Sequence, residues 1–117
     1  MVKGIGIDII EVERIKKIAE KNPSFLQRIF TPQEISYCLK KRNKYQHLAA
    51  RFAAKEAFFK ALGRRISWKE VELFNLSSGK PQLEIKSKER FSFVEAHVSI
   101  SHLSEYAVAT VILEGKK

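Results

Sequence analysis

The stretch Arg51-Phe52-Ala53-Ala54-Lys55-Glu56-Ala57-Phe58-Phe59-Lys60-Ala61-Leu62-Gly63 constrains the fold of this chain more than any other. Wound at about 100° per residue, its apolar side chains surround almost the whole helix. A helix apolar all round must be covered on most sides. In a chain of 117 residues that requirement points to cover from other subunits. Two polar stripes interrupt the apolar surface. His47, Arg51 and Lys55 stand four apart and form a basic stripe; Glu56 and Lys60, also four apart, form another beside Phe52 and the small Ala49 and Ala53.

The rest of the chain arranges itself around this helix, which is expected over residues 45–62 with Gly63 as its stop. Residues 2–10 alternate as a strand, with Ile5, Ile7 and Ile9 on one side and Gly4, Gly6 and Asp8 on the other. An amphipathic helix follows over 11–21, turning Val12, Ile15, Ile18 and Ala19 inward until Asn22-Pro23 ends it, and a helical turn lies near 25–30. Thr31-Pro32-Gln33-Glu34 starts the next helix: Thr31 caps, Pro32 suits the first helical position and Glu34 completes a capping box. That helix carries Ile35, Cys38 and Leu39 and dissolves in the basic run 40–44. Beyond Gly63 the texture becomes strand-like at 67–74 and 81–86, with a loop at 75–80. Two β-rich runs, 92–101 and 105–114, read as an antiparallel hairpin. The fold class is α+β in a single domain, 1–117: an N-terminal strand, helices including one long central apolar helix, then a mainly antiparallel sheet.

Composition narrows the functional classes. The chain is 44% hydrophobic, enough for a core, and carries +9 net charge from 22 Lys and Arg against 13 Asp and Glu. The excess favours an anionic partner, whether nucleic acid, membrane surface, phosphorylated cofactor or acidic protein, without choosing among them. Its short clusters at 14–17, 40–44 and 64–65 form no basic tail. No apolar run is long enough to span a bilayer, and the opening Met1-Val2-Lys3-Gly4 leads into a segment too short and acid-punctuated for a signal peptide. A lone cysteine, Cys38, rules out an internal disulfide and fits a reducing cytoplasm. A nucleic-acid-binding module is the rival reading for a small basic α+β chain. Against it, Phe58 and Phe59 sit on apolar helix faces rather than on a stacking surface.

Four constellations carry chemistry. Glu56 and Lys60 read most simply as a surface i,i+4 pair, yet a carboxylate on so apolar a helix is costly to bury without a charged partner or a metal. Asp8 reads as a helix cap, since Asp8-Ile9-Ile10-Glu11 has capping-box spacing. Alternatively it meets Glu56 in space, and two carboxylates suit magnesium, which keeps waters and completes its shell with phosphate oxygens. Ser77-Ser78-Gly79-Lys80-Pro81 reads as a turn or as a phosphate cradle of backbone N–H groups plus a lysine. Val98-Ser99-Ile100-Ser101-His102 places His102 at the end of the hairpin, whereas His47 and His97 read as surface residues.

Taken in order, Gly4-Ile5-Gly6-Ile7-Asp8-Ile9, Phe52 through Ala61, Gly79-Lys80-Pro81 and Ser99-Ile100-Ser101-His102 resemble the holo-[acyl-carrier-protein] synthase family of 4′-phosphopantetheinyl transferases. The resemblance implies transfer of 4′-phosphopantetheine from coenzyme A to a serine of apo acyl carrier protein, releasing 3′,5′-ADP, for fatty acid biosynthesis. It implies that Asp8 and Glu56 bind Mg2+, that Lys60 lies against the coenzyme A phosphates, and that Gly79, Lys80, Pro81, Ser101 and His102 line the coenzyme A site, with Arg51 a further candidate. The catalytic set is then Glu56, Lys60 and His102; Glu56, a metal-bound water or His102 could take the serine proton. The family is trimeric with sites between subunits, and its acidic carrier docks on the basic first helix, where Arg14 is the candidate contact. Leu103 departs from members that carry a polar or acidic residue after the Ser-His pair.

Overall fold

The computed structural model describes residues 1–87 and 89–116. Strand β1 (Val2–Glu11) leads into helices α1 (Val12–Lys21), α2 (Phe25–Ile29), α3 (Pro32–Leu39) and α4 (Lys44–Leu62). A 3₁₀ turn, Trp68–Glu70, precedes the hairpin β2 (Val71–Asn75) and β3 (Pro81–Ile85), and β4 (Val94–His102) and β5 (Tyr106–Gly115) close the chain. The strands form a three-stranded antiparallel sheet in the order β1-β5-β4 and a two-stranded sheet of β2 and β3. The expected strand at 67–74 therefore begins as a 3₁₀ turn and becomes extended only at Val71. Among the described residues no helix is long and apolar enough to cross a membrane.

α4 lies across the inner face of the larger sheet, and its cover comes from the chain itself. Ala49, Ala53, Ala57, Phe58 and Ala61 are buried together with Ile10 of β1 and Ala107, Ala109, Val111 and Leu113 of β5. The expectation that other subunits cover this helix is overturned: β1 and β5 take one side, α1–α3 and the 3₁₀ turn the rest. The glycines explain how the sheet comes so close. A Cβ on Gly4 would overlap the carbonyl oxygen of Ala61, and one on Gly6 that of Ala57. Helix backbone therefore seats directly on strand backbone, and Ile5, Ile7 and Ile9 of β1 are turned to the other side. Gly6→Ala is expected to force β1 off α4 and cost about 1–3 kcal/mol in a urea unfolding experiment. An unchanged midpoint would show that the two backbones are not held together there.

The helical half is fastened by a buried polar hub. Thr31 caps α3 as expected, accepting from the Glu34 N–H at 3.2 Å, while the Glu34 carboxylate accepts from the Thr31 N–H at 2.9 Å. Glu34 does more than cap. Its Oε1 pairs with the fully buried Lys55 Nζ at 2.7 Å and its Oε2 accepts from the Leu73 N–H at 2.8 Å. Lys55 spends its other two protons on the carbonyls of Ile29 (2.9 Å) and Trp68 (3.0 Å). One lysine thus ties α4 to α2, α3 and the 3₁₀ turn, so it belongs to the core and not to a basic surface stripe.

Candidate active site

Asp8 sits inside β1, and α1 starts at Val12 with Glu11 in the capping position, so Asp8 is not the helix cap its local spacing suggests. The alternation that puts Gly4 and Gly6 against α4 puts Asp8 on the same face, within reach of Lys60. Lys60 Nζ donates to Asp8 Oδ1 at 3.2 Å and to the Ile7 carbonyl at 2.9 Å. Glu56 is held elsewhere: the Arg65 guanidinium grips both its oxygens, at 3.0 and 3.2 Å. Glu56 and Lys60 therefore do not form the simple i,i+4 pair; each serves a partner from another part of the chain.

Both carboxylates are largely shielded, with the Asp8 side chain 17% exposed and that of Glu56 16%. Burial raises the Asp8 pKa above the ordinary aspartate value, and the neighbouring Glu56 charge adds to it. The hydrogen bond and charge of Lys60, with the Arg14 charge from α1, act in the opposite direction. Two shielded oxygen ligands whose negative charges oppose each other fit a hard divalent cation, and as only two carboxylates they leave room for phosphate oxygens.

A second group gathers at the other end of α4. Arg51, buried, stacks on Tyr37 with its guanidinium carbon 4.4 Å from the ring centroid, and donates from Nη2 to Asn75 Oδ1 at 2.8 Å. Asn75 in turn donates to the Gly79 carbonyl at 3.0 Å, so α4 is wired to the 76–80 loop. That loop turns at Gly79, whose φ of 92° favours glycine, and it presents an exposed Lys80 ahead of Pro81. Arg51 Nε is buried with no hydrogen-bond partner among the described residues. His102 joins this group: its Nδ1 lies 2.9 Å from Gln46 Oε1, and its ring is 5.2 Å from that of His47. An acceptor on Nδ1 assigns the proton there and leaves Nε2 free to accept. His47 is half-buried between Tyr37 and His102, not a plain surface residue, and burial lowers its pKa, helped by the His102, Arg51 and Lys41 charges. His97 is exposed as expected.

The structure thus brings Asp8, Glu56 and Lys60 together, and separately Arg51, Gly79 and His102. Among the described residues no hydrogen bond joins the two groups. Ser101 stands apart from His102, because consecutive strand residues face opposite ways. It lies on the outer face of the sheet in register with Val108 and Ile9. That face carries Ile5, Ile7 and Ile9, exposed at 66%, 59% and 65% on an edge strand. A cavity of about 450 Å3 opens beside Lys80 and Pro81, between β3 and β4. Arg65, Asn75 and Gln46 were not singled out by sequence reasoning; of these only Arg65 left a signal, as part of a basic pair.

The chain is similar to proteins of one known family. The family model for ACPS, the 4′-phosphopantetheinyl transferase superfamily, matches residues 4–111. The holo-[acyl-carrier-protein] synthase of Geotalea daltonii is 43% identical over 124 residues, covering 97% of this chain and 99% of its own. That of Thermodesulfovibrio yellowstonii is 46% identical over 116 residues, covering 97% and 99%. Among solved structures, a holo-(acyl-carrier-protein) synthase from Bacillus anthracis in complex with CoA (3′,5′-ADP) superposes with a TM-score of 0.87 at 39% identity, over 99% of each chain.

Proposed function

Because the chain belongs to the 4′-phosphopantetheinyl transferase superfamily, we propose that it is a holo-[acyl-carrier-protein] synthase acting in fatty acid biosynthesis. It transfers phosphopantetheine from coenzyme A to the serine of an apo acyl carrier protein and releases 3′,5′-ADP. The observation that carries this reading is the meeting of Asp8, Glu56 and Lys60 from two distant motifs at one shielded point.

Asp8 and Glu56 are the residues that would hold Mg2+, which supplies charge neutralisation for the diphosphate of coenzyme A. Lys60 keeps one N–H beyond those given to Ile7 and Asp8, and directs it at a phosphate oxygen. Its chemistry is positioning and electrostatics, which is most of what phosphoryl transfer asks of a protein. The attacking serine loses a proton as the new O–P bond forms and the bond to the 3′,5′-ADP oxygen breaks. His102 is suited to accept that proton: Nδ1 is committed to Gln46, so Nε2 is the free base. As a residue that would hold Mg2+, Glu56 would have its charge engaged by the metal, which supports His102 over Glu56 in this role.

The unpartnered Arg51 Nε beside the Gly79 loop supports coenzyme A binding by Arg51, Gly79, Lys80 and Pro81, since a buried donor without an acceptor is suited to a phosphate oxygen. The separation of this group from Asp8 and Glu56 favours sites shared between copies of the chain. The exposed isoleucine face gives those copies a surface to bury, with Ser101 at its margin. The assembly is a homotrimer. Light scattering is expected to return three chain masses, and Ile7→Asp to return one with loss of transfer. A wild-type monomer with full activity would reject the shared site. Arg14, exposed on α1 and near enough to Asp8 to influence its charge, is the contact for the acidic carrier. The buried, unpaired Cys38 accords with a reducing cytoplasm.

Chromatography tests the reaction directly. With coenzyme A, Mg2+ and an apo carrier, 3′,5′-ADP is expected to accumulate in step with carrier consumed. Its absence with a folded protein and several carriers would reject the proposal.

A further inference from the structure

We propose that Arg65 sets the metal affinity of this site by latching Glu56, so that a divalent cation competes with its guanidinium for the Glu56 oxygens. The inference rests on the reading of Asp8 and Glu56 as metal ligands. Gly63 ends α4 in a left-handed conformation (φ 83°) and turns the chain back, bringing Arg65 over the last turns of the helix it has just left. There its guanidinium stands 5.5 Å from the centroid of Phe59 and 5.6 Å from that of Trp68, so two rings guide the fork. Both Nη atoms are spent on Glu56, one on each oxygen.

The two basic groups at the carboxylates are therefore unequal. Lys60 touches one oxygen of Asp8 and is anchored independently on the Ile7 carbonyl, so it can stay when a cation arrives. Arg65 covers both oxygens of Glu56, so a cation approaching either oxygen competes with the guanidinium charge and its hydrogen bonds. Arg64 provides a natural contrast. It carries the same charge one residue earlier, but its guanidinium lies 5.3 Å from the Phe91 ring, away from Glu56.

The test is Mn2+ binding to the full chain without coenzyme A, followed by electron paramagnetic resonance. Arg65→Gln is expected to bind Mn2+ about two- to fivefold more tightly than wild type, the range for freeing a carboxylate from a partly exposed ion pair. Arg65→Lys, which keeps the charge but loses the fork, is expected to fall between, and Arg64→Gln to stay at the wild-type value. Equal tightening by Arg64→Gln, or Arg65→Lys matching wild type while Arg65→Gln tightens, would show a net-charge effect and overturn the latch. Asp8→Asn separates the two levels of the argument. Wild-type Mn2+ binding that is absent, or that survives Asp8→Asn, overturns the metal site and the latch with it. Binding that depends on Asp8 but is the same in Arg65→Gln overturns the latch alone.

Discussion

Asp8→Asn and Glu56→Gln are each expected to slow phosphopantetheine transfer by at least about a thousandfold while leaving the protein folded. The size follows from what each change removes. Either amide replaces a negatively charged oxygen ligand with a neutral one, and a site of two carboxylates has no third to compensate. The fold should tolerate both, because neither residue is part of the core and each amide can still hydrogen-bond its basic neighbour. Asp8→Asn also removes an aspartate whose pKa is raised by burial and by Glu56, so unfolding experiments should show little loss of stability. Transfer within about tenfold of wild type in either variant, at saturating Mg2+, would contradict the assignment.

Lys55→Ala should act on the neighbouring residue and on the other half of the molecule. It is expected to destabilise the protein by about 3–5 kcal/mol, the cost of breaking a buried pair by removing one partner. The Glu34 carboxylate would be left buried with only the Thr31 and Leu73 N–H groups, and the Ile29 and Trp68 carbonyls would each lose a donor. Since small domains hold about 5–15 kcal/mol in all, the variant should unfold at markedly lower urea and temperature. Lys55→Met with Glu34→Gln removes both charges and is expected to recover part of the loss. A change below about 1 kcal/mol in Lys55→Ala would mean that the Glu34–Lys55 pair does not fasten the helical half.

How far these features could be read from the sequence depends on whether their causes are local. The capping box at Thr31 and Glu34 is a matter of four adjacent residues, and it forms as read. The second role of Glu34, as partner to Lys55, joins residues in different elements, and nothing in either segment announces it. Alternation in β1 separates an isoleucine face from a glycine face, but the pattern alone does not say which face is inside. The helix decides: its backbone approaches too closely for any Cβ at Gly4 and Gly6, so these go in and Ile5, Ile7 and Ile9 go out. The same approach explains why α4, apolar all round, needs no second chain to cover it. On local grounds Asp8 reads either as a cap or as a partner of Glu56, and the resemblance to a known family is what implied the second. Arg65 was missed because a basic residue after a helix is ordinary until a glycine turn folds it back onto a carboxylate.

The most direct measurement is the intact mass of an apo acyl carrier protein after incubation with this protein, coenzyme A and Mg2+. The account predicts a carrier heavier by one phosphopantetheine, and no gain when the metal is chelated or when Asp8→Asn replaces the wild type. An unmodified carrier in the presence of folded protein, or a gain that persists without divalent metal, would contradict it.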